Sequence, residues 1–210
     1  MIKKYNKIKS IILPNKKINI FIICLIVLGL TIGSIFSVII SQNDQNLVIE
    51  KIKLFIDNIN NNSLNSLIAF KNSISINYLY IIIIWILGMT LIGIPINIFI
   101  LFFKSFTLGF SLSSFIITYS YKGLLLSSIY LILGQLINII VLLVLTIYSI
   151  MFSSILIKNI FKNNLHNELP KFLKNYCIIL IIALLVSLIS SLSETFLMPT
   201  IIKLLIKLYI

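Results

Sequence analysis

Three observations predict an all-α, polytopic membrane bundle of about five transmembrane helices. The first is composition: 60% of the 210 residues are hydrophobic and 10% are charged, against about 25% charged in a soluble domain, with a mean hydropathy of +1.14. The second is run length. Between Lys71 and Lys122 the only formal charge is Lys104; no soluble domain of this size buries such a run, whereas a bilayer accepts ~20 apolar residues per helical crossing. The third is charge placement. The net charge of +12 resides on lysines at the ends of apolar segments, the signal of cytoplasmic flanks rather than of a nucleic-acid surface. The lipid bilayer is the partner this composition demands.

In chain order, residues 1–17 form a basic cytoplasmic amino terminus ahead of a single membrane domain, 18–210. Crossings are expected at about 18–40, 78–103, 105–121, 123–151 and 177–198. The first is too long for the 7–15-residue apolar core of a secretory signal and lacks a small-residue cleavage site after it. Its Gly29 and Gly33 form a GxxxG ridge, extended by Ser37, which lets another helix approach closely. That helix belongs to this chain or, in the alternative reading, to a partner or to a second copy in a homo-oligomer.

The polar segment 41–77 is expected as an extracytoplasmic loop. Within it Val48, Ile52, Phe55, Ile56 and Ile59 follow the spacing of an amphipathic helix. Its apolar face either covers the bundle at the outer leaflet or docks a partner's domain. After the break at residues 60–62, Ser63 is the expected cap of a further turn.

Residues 78–121 read as a Gly/Pro-kinked helical hairpin with Lys104 at its tight turn. Gly88, Gly93 and Pro95 fall inside the first arm and kink it, and Trp85 fills space between helices. In the second arm Ser105, Gly109 and Ser113 make another small-residue ridge. Tyr119, Tyr121 and Lys122 mark the outer interface. In the fourth crossing Gln135 and Asn138 share a face and are expected to bond between helices rather than line a substrate path. Lys158, Lys162, Lys171 and Lys174 flag an inner loop containing His166, the single histidine. Cys24 and Cys177 lie in crossings as small apolar residues. Five crossings place the carboxyl terminus outside, with Lys203 and Lys207 on one side of an interfacial helix.

The residue that stands out chemically is Glu194. An intramembrane carboxylate costs about 2.5–3.5 kcal/mol at mid-bilayer, which argues for function by default. Its place near the outer end of the last crossing favours a structural ion pair, with Lys122 or Lys203 as partner, over ion coupling. No HExxH motif and no P-loop are present, and no histidine serves a nucleophile within the crossings. Neither an enzyme, a cofactor nor a metal site is expected.

With these residues in view, the chain resembles stage II sporulation protein M of endospore-forming bacteria. The resemblance covers nearly the full length. It rests on Phe70-Lys-Asn72, Trp85-Ile-Leu-Gly88, Leu91-Ile-Gly-Ile-Pro95, Phe103-Lys104, Leu108-Gly-Phe110 and the closing Glu194-Thr-Phe-Leu-Met-Pro199. Around Leu133-Gly134-Gln135 the chain departs from relatives that carry a proline beside the polar residue. The resemblance implies a non-enzymatic scaffold for forespore engulfment at the sporulation septum. Its implied partners are the peptidoglycan-degrading stage II sporulation proteins D and P, with Glu194, Pro95 and Pro199 maintaining the bundle's shape. A solute or ion permease using Glu194 is the alternative.

Overall fold

The computed structural model describes residues 16–90, 92–162 and 169–209; His166 and the lysines before residue 16 lie outside them. The described residues are helical and form no strand. They comprise α1 (Lys16–Ile39), α2 (Gln42–Asn60), α3 (Ser66–Gly88), α4 (Gly93–Ile129), a π-helical segment (Tyr130–Gln135), α5 (Leu136–Lys162), α6 (Leu169–Leu192), a second π segment (Ser193–Leu197) and α7 (Met198–Tyr209).

Their burial is inverted relative to a soluble protein. Ile39 and Val38 are 72% and 64% exposed, while Asn97, Ser149, Ser187, Ser190 and Ser191 are fully buried. Large apolar side chains outside and small polar ones inside are what a hydrocarbon solvent selects. Four helical stretches are long and apolar enough to cross a membrane: Lys16–Ile39, Ser66–Gly88, Gly93–Ile157 and Phe172–Lys207. The third, at 65 residues, would be ~98 Å long if straight, about three hydrocarbon thicknesses. It folds back at Ser120, whose φ of 51° and ψ of −125° leave the helical region. The reversal brings the Phe115 and Tyr130 rings to 5.8 Å, and Gly123 admits the Phe115 carbonyl where a Cβ would overlap it.

The hairpin turn falls between Gly88 and Gly93, not at Lys104. Thr90 Oγ1 donates to the Leu87 carbonyl at 2.7 Å, and Ser153 Oγ donates to the Thr90 carbonyl at 2.8 Å. Gly88 and Gly93 therefore flank the turn instead of kinking an arm. Gly93 packs on the Leu87 carbonyl and Gly88 on Tyr176 and Ser149, each too close for a Cβ. Pro95 falls in the first turn of α4, where its missing N–H costs no helical bond. The expected crossings at 78–103 and 105–121 become Ser66–Gly88 and the arm from Gly93 to Ser120. The polar segment ends at Asn65, whose Oδ1 accepts from the Leu67 and Ile68 N–H groups at 3.2 Å and caps α3. Ser63 instead donates to the carbonyl and the side chain of Asn58.

α1 packs along α4 in parallel. Gly29 meets Ser105 and Phe102, Gly33 meets the Phe106 carbonyl, and Gly109 meets the Leu30 carbonyl. Ser34 Oγ also donates across to the Gly109 carbonyl at 3.1 Å. The Gly29/Gly33 ridge is thus occupied within the chain. Because α1 and α4 run parallel, Gly88 and Gly93 lie at the end of the bundle where α1 begins. A stack of Phe152 on Tyr176 (5.0 Å) and Tyr176 on Trp85 (5.8 Å) fills that end, as expected of Trp85.

The opposite end is closed by a second apolar core. Ile56 and Ile59 of α2 pack with Phe115, Leu126, Met198 and Ile202. At 5% and 3% exposure, Ile56 and Ile59 cannot dock a partner as their spacing allowed. The apolar surface of α7 and of the Ser120 reversal has already claimed them.

Candidate functional site

The site forms where the two π-helical segments face each other. A π turn widens the helix by one residue and leaves carbonyls without their usual partners, and such turns recur at functional positions. The second has a local cause. Pro199 has no N–H and would clash with the carbonyl four residues earlier, so the helix widens ahead of it and the Met198 N–H reaches the Ser193 carbonyl. In the first, the Leu136 N–H reaches the Leu131 carbonyl. The exposed carbonyls are then claimed across the interface: Ser193 Oγ donates to Leu133, and Ser190 Oγ donates to Gly134 at 3.1 Å. Asn138 Nδ2 donates to the same Gly134 carbonyl at 3.3 Å, within its own helix.

Glu194 sits between these segments, half-buried. Ser73 Oγ donates to its Oε2 at 2.7 Å, and Gln135 Nε2 donates to its Oε1 at 2.7 Å. Asn77 Nδ2 extends the network to Ser191 Oγ at 3.2 Å. Gly134 makes the space. A Cβ there would lie 3.3 Å from Glu194 Cγ, so the carboxyl stem lies against bare backbone. Three helices meet on one carboxylate: α3, the segment joining α4 to α5, and the end of α6. In low-dielectric surroundings such hydrogen bonds are stronger than in water.

The sequence located Glu194, Gln135 and Pro199 but assigned Glu194 the wrong partners. Lys203 Nζ donates to Asn62 Oδ1 at 2.6 Å, and Lys122 is exposed at the reversal. The cation that interacts electrostatically with Glu194 is Lys104. Lys104 lies within α4, its Nζ 5.1 Å from the centroid of the Tyr80 ring. At ~1.5 Å per residue it stands ~17 Å beyond Gly93, well inside the bundle. Ser73 escapes sequence reasoning because it falls in the segment expected as outer loop.

Several buried polar atoms near this seam have no partner, among them Gln135 Oε1, Asn138 Oδ1 and Ser187 Oγ. Beside Glu194 is a cavity of about 180 Å³ whose wall includes Ser66, Ser73, Tyr130 and Pro199. Among the described residues no group of three or more His, Cys, Asp or Glu side chains gathers to hold a metal ion.

The arrangement defines a polytopic helical membrane protein whose last crossing is tied to two others through one carboxylate. Among the described residues, Lys104 on α4 and Glu194 at the end of α6 are ionisable groups held within the bundle. The family model described as Stage II sporulation protein M matches residues 18–199, and the chain belongs to that family. It is a sporulation-related membrane protein, and its family is not one known for enzymes. No curated protein and no solved structure matches the chain.

Proposed function

We propose that the protein is a non-catalytic scaffold for forespore engulfment. It sits in the septal membrane and anchors a peptidoglycan-degrading complex containing stage II sporulation proteins D and P. Family membership supports the process. The observation that carries the scaffold reading is the rigid cap at the end opposite Lys16. There α2 is held by Ile56 and Ile59 against the Ser120 reversal and α7, while Leu54 and Leu47 stay exposed, Leu47 at the edge of the groove between α2 and α4. A helix fixed on one face and apolar on the other is suited to receive a partner helix or domain. Val48, Ile52 and Phe55 border an adjoining groove and remain docking candidates.

The test is co-purification of D and P from sporulating membranes with the wild type and with a Leu47→Lys/Leu54→Lys variant. Both positions are exposed, so the bundle is retained. Loss of the hydrolase from the variant alone supports the reading; equal recovery overturns it.

A second reading, coupled transport, is favoured by one observation: Lys104 and Glu194 both lie inside the bundle, with a cavity reaching the carboxylate. It requires an ion-dependent flux in proteoliposomes that Glu194→Gln abolishes. Absence of flux from folded protein eliminates it.

A further inference from the structure

Two cavities share wall residues at Phe55 of α2 and Tyr130. The larger, about 400 Å³, is an almost wholly apolar groove between α2 and α4, bounded by Val48, Ile52, Phe110 and Phe115, with Lys51 also on its wall. The smaller is the 180 Å³ cavity that contains Ser73 and Glu194. Phe55 and Tyr130 line both, so the apolar groove and the cavity at the carboxyl group meet at these two rings. We propose that the two cavities form one membrane-accessible site for an amphiphile with an apolar chain and a primary-amine head. The chain lies in the groove and the ammonium meets Glu194.

Three features select that ligand. The groove flanks a crossing helix, where the surrounding solvent is acyl chains, so a tail enters without passing through water. A carboxylate has about four acceptor positions. Ser73 and Gln135 fill two, and capacity remains for the N–H donors of an ammonium. An anionic head is repelled by Glu194, and a quaternary head has no N–H to donate. Lys104, the other charge that interacts with Glu194, stands over the Tyr80 ring. The proposal does not rest on the scaffold reading: Glu194 and the smaller cavity lie away from Leu47 and Leu54, while a partner seated on Val48, Ile52 and Phe55 would compete for the groove.

The experiment measures binding of radiolabelled dodecylamine to the purified full chain in phosphatidylcholine nanodiscs, over empty nanodiscs. Dodecanol, dodecanoate and dodecyltrimethylammonium serve as competitors. Saturable binding is expected, displaced poorly by all three competitors and weakened at least tenfold by Glu194→Gln. Phe55→Trp, which narrows the junction without touching the hydrogen-bond network, is expected to weaken binding similarly. It decides the matter if Glu194→Gln does not fold. Binding that is non-saturable, equal for dodecanol, or unchanged in the folded variants overturns the proposal.

Discussion

Replacing Gly33 with alanine tests the structure at its tightest helix crossing. In Gly33→Ala the new Cβ would overlap the Phe106 carbonyl oxygen, which is backbone and cannot rotate away. In Gly29→Ala it would lie 2.8 Å from Ser105 Cβ and 2.9 Å from the Phe102 oxygen, whereas ordinary Cβ contacts begin at 3.4 Å. α1 and α4 must therefore separate by about half an ångström for Gly29→Ala and by more for Gly33→Ala, losing dispersion contacts along the crossing. Overpacking of this kind costs about 1–3 kcal/mol. The usual offset, the ~1 kcal/mol by which alanine exceeds glycine in helix propensity, does not apply, because a helix separated within lipid stays helical. The expected losses are about 2–3 kcal/mol for Gly33→Ala and about 1–2 for Gly29→Ala. Gly134→Ala should cost under ~1 kcal/mol, since its Cβ would meet only the flexible Glu194 stem, at 3.3 Å. Reversible unfolding in mixed micelles, titrating SDS against a mild detergent, gives all three values. A Gly33→Ala protein as stable as the wild type would refute the packing assignment. If that substitution changed only the oligomeric state, the ridge would belong to a second copy.

The charges and the turn give two more expected outcomes. Lys104→Met and Glu194→Gln should each destabilise the bundle, while the double variant loses less than their sum. A double-mutant cycle is expected to give a coupling of about 0.5–1.7 kcal/mol, the range for neighbouring groups in a membrane interior; zero coupling would separate the two charges. In a Cys24→Ser/Cys177→Ser background, Thr90→Cys should react with a membrane-impermeant maleimide from one side, and Asn61→Cys and Lys122→Cys from the other. Lys104→Cys should resist labelling from both sides, and ready labelling there would restore the turn to that residue.

The fold class was legible because it depends on quantities that add along the chain: hydropathy, run length and the grouping of lysines. The small-residue ridges were legible too, since Gly29, Gly33, Ser105 and Gly109 fall on helical spacing and the contact requires only the absence of side-chain bulk. The hairpin turn is misplaced by sequence reasoning for a physical reason. A lysine in hydrocarbon is costly, so Lys104 reads as a residue that must reach water. Inside, it stands over an aromatic ring at 5.1 Å and within the field of Glu194, ninety residues away in sequence, neither visible to a local window. The better signal is present: a glycine on each side of Met89 and Thr90, then Pro95 two residues after Gly93, is the pattern of one helix ending and another beginning.

Glu194 shows how a local irregularity becomes a tertiary one. Pro199 withholds one N–H and the helix widens ahead of it, so Ser193 and Glu194 no longer sit where regular α spacing would put them. The partner helix answers with a π turn of its own, and Gly134 leaves bare backbone for the carboxyl stem to cross. Regular α spacing predicts Gln135 and Asn138 on one face, both bonding between helices, yet Gln135 bonds Glu194 while Asn138 turns back to the Gly134 carbonyl. That division depends on the extra residue in the π turn, which rotates the remainder of the helix by roughly a quarter of a turn relative to regular α geometry. A proline in that segment would also free a carbonyl there. Here the freed Leu133 and Gly134 carbonyls are taken by Ser193 and Ser190. The same opening can therefore be held by serines on the opposing helix, and the carboxylate keeps its place without a proline at that position.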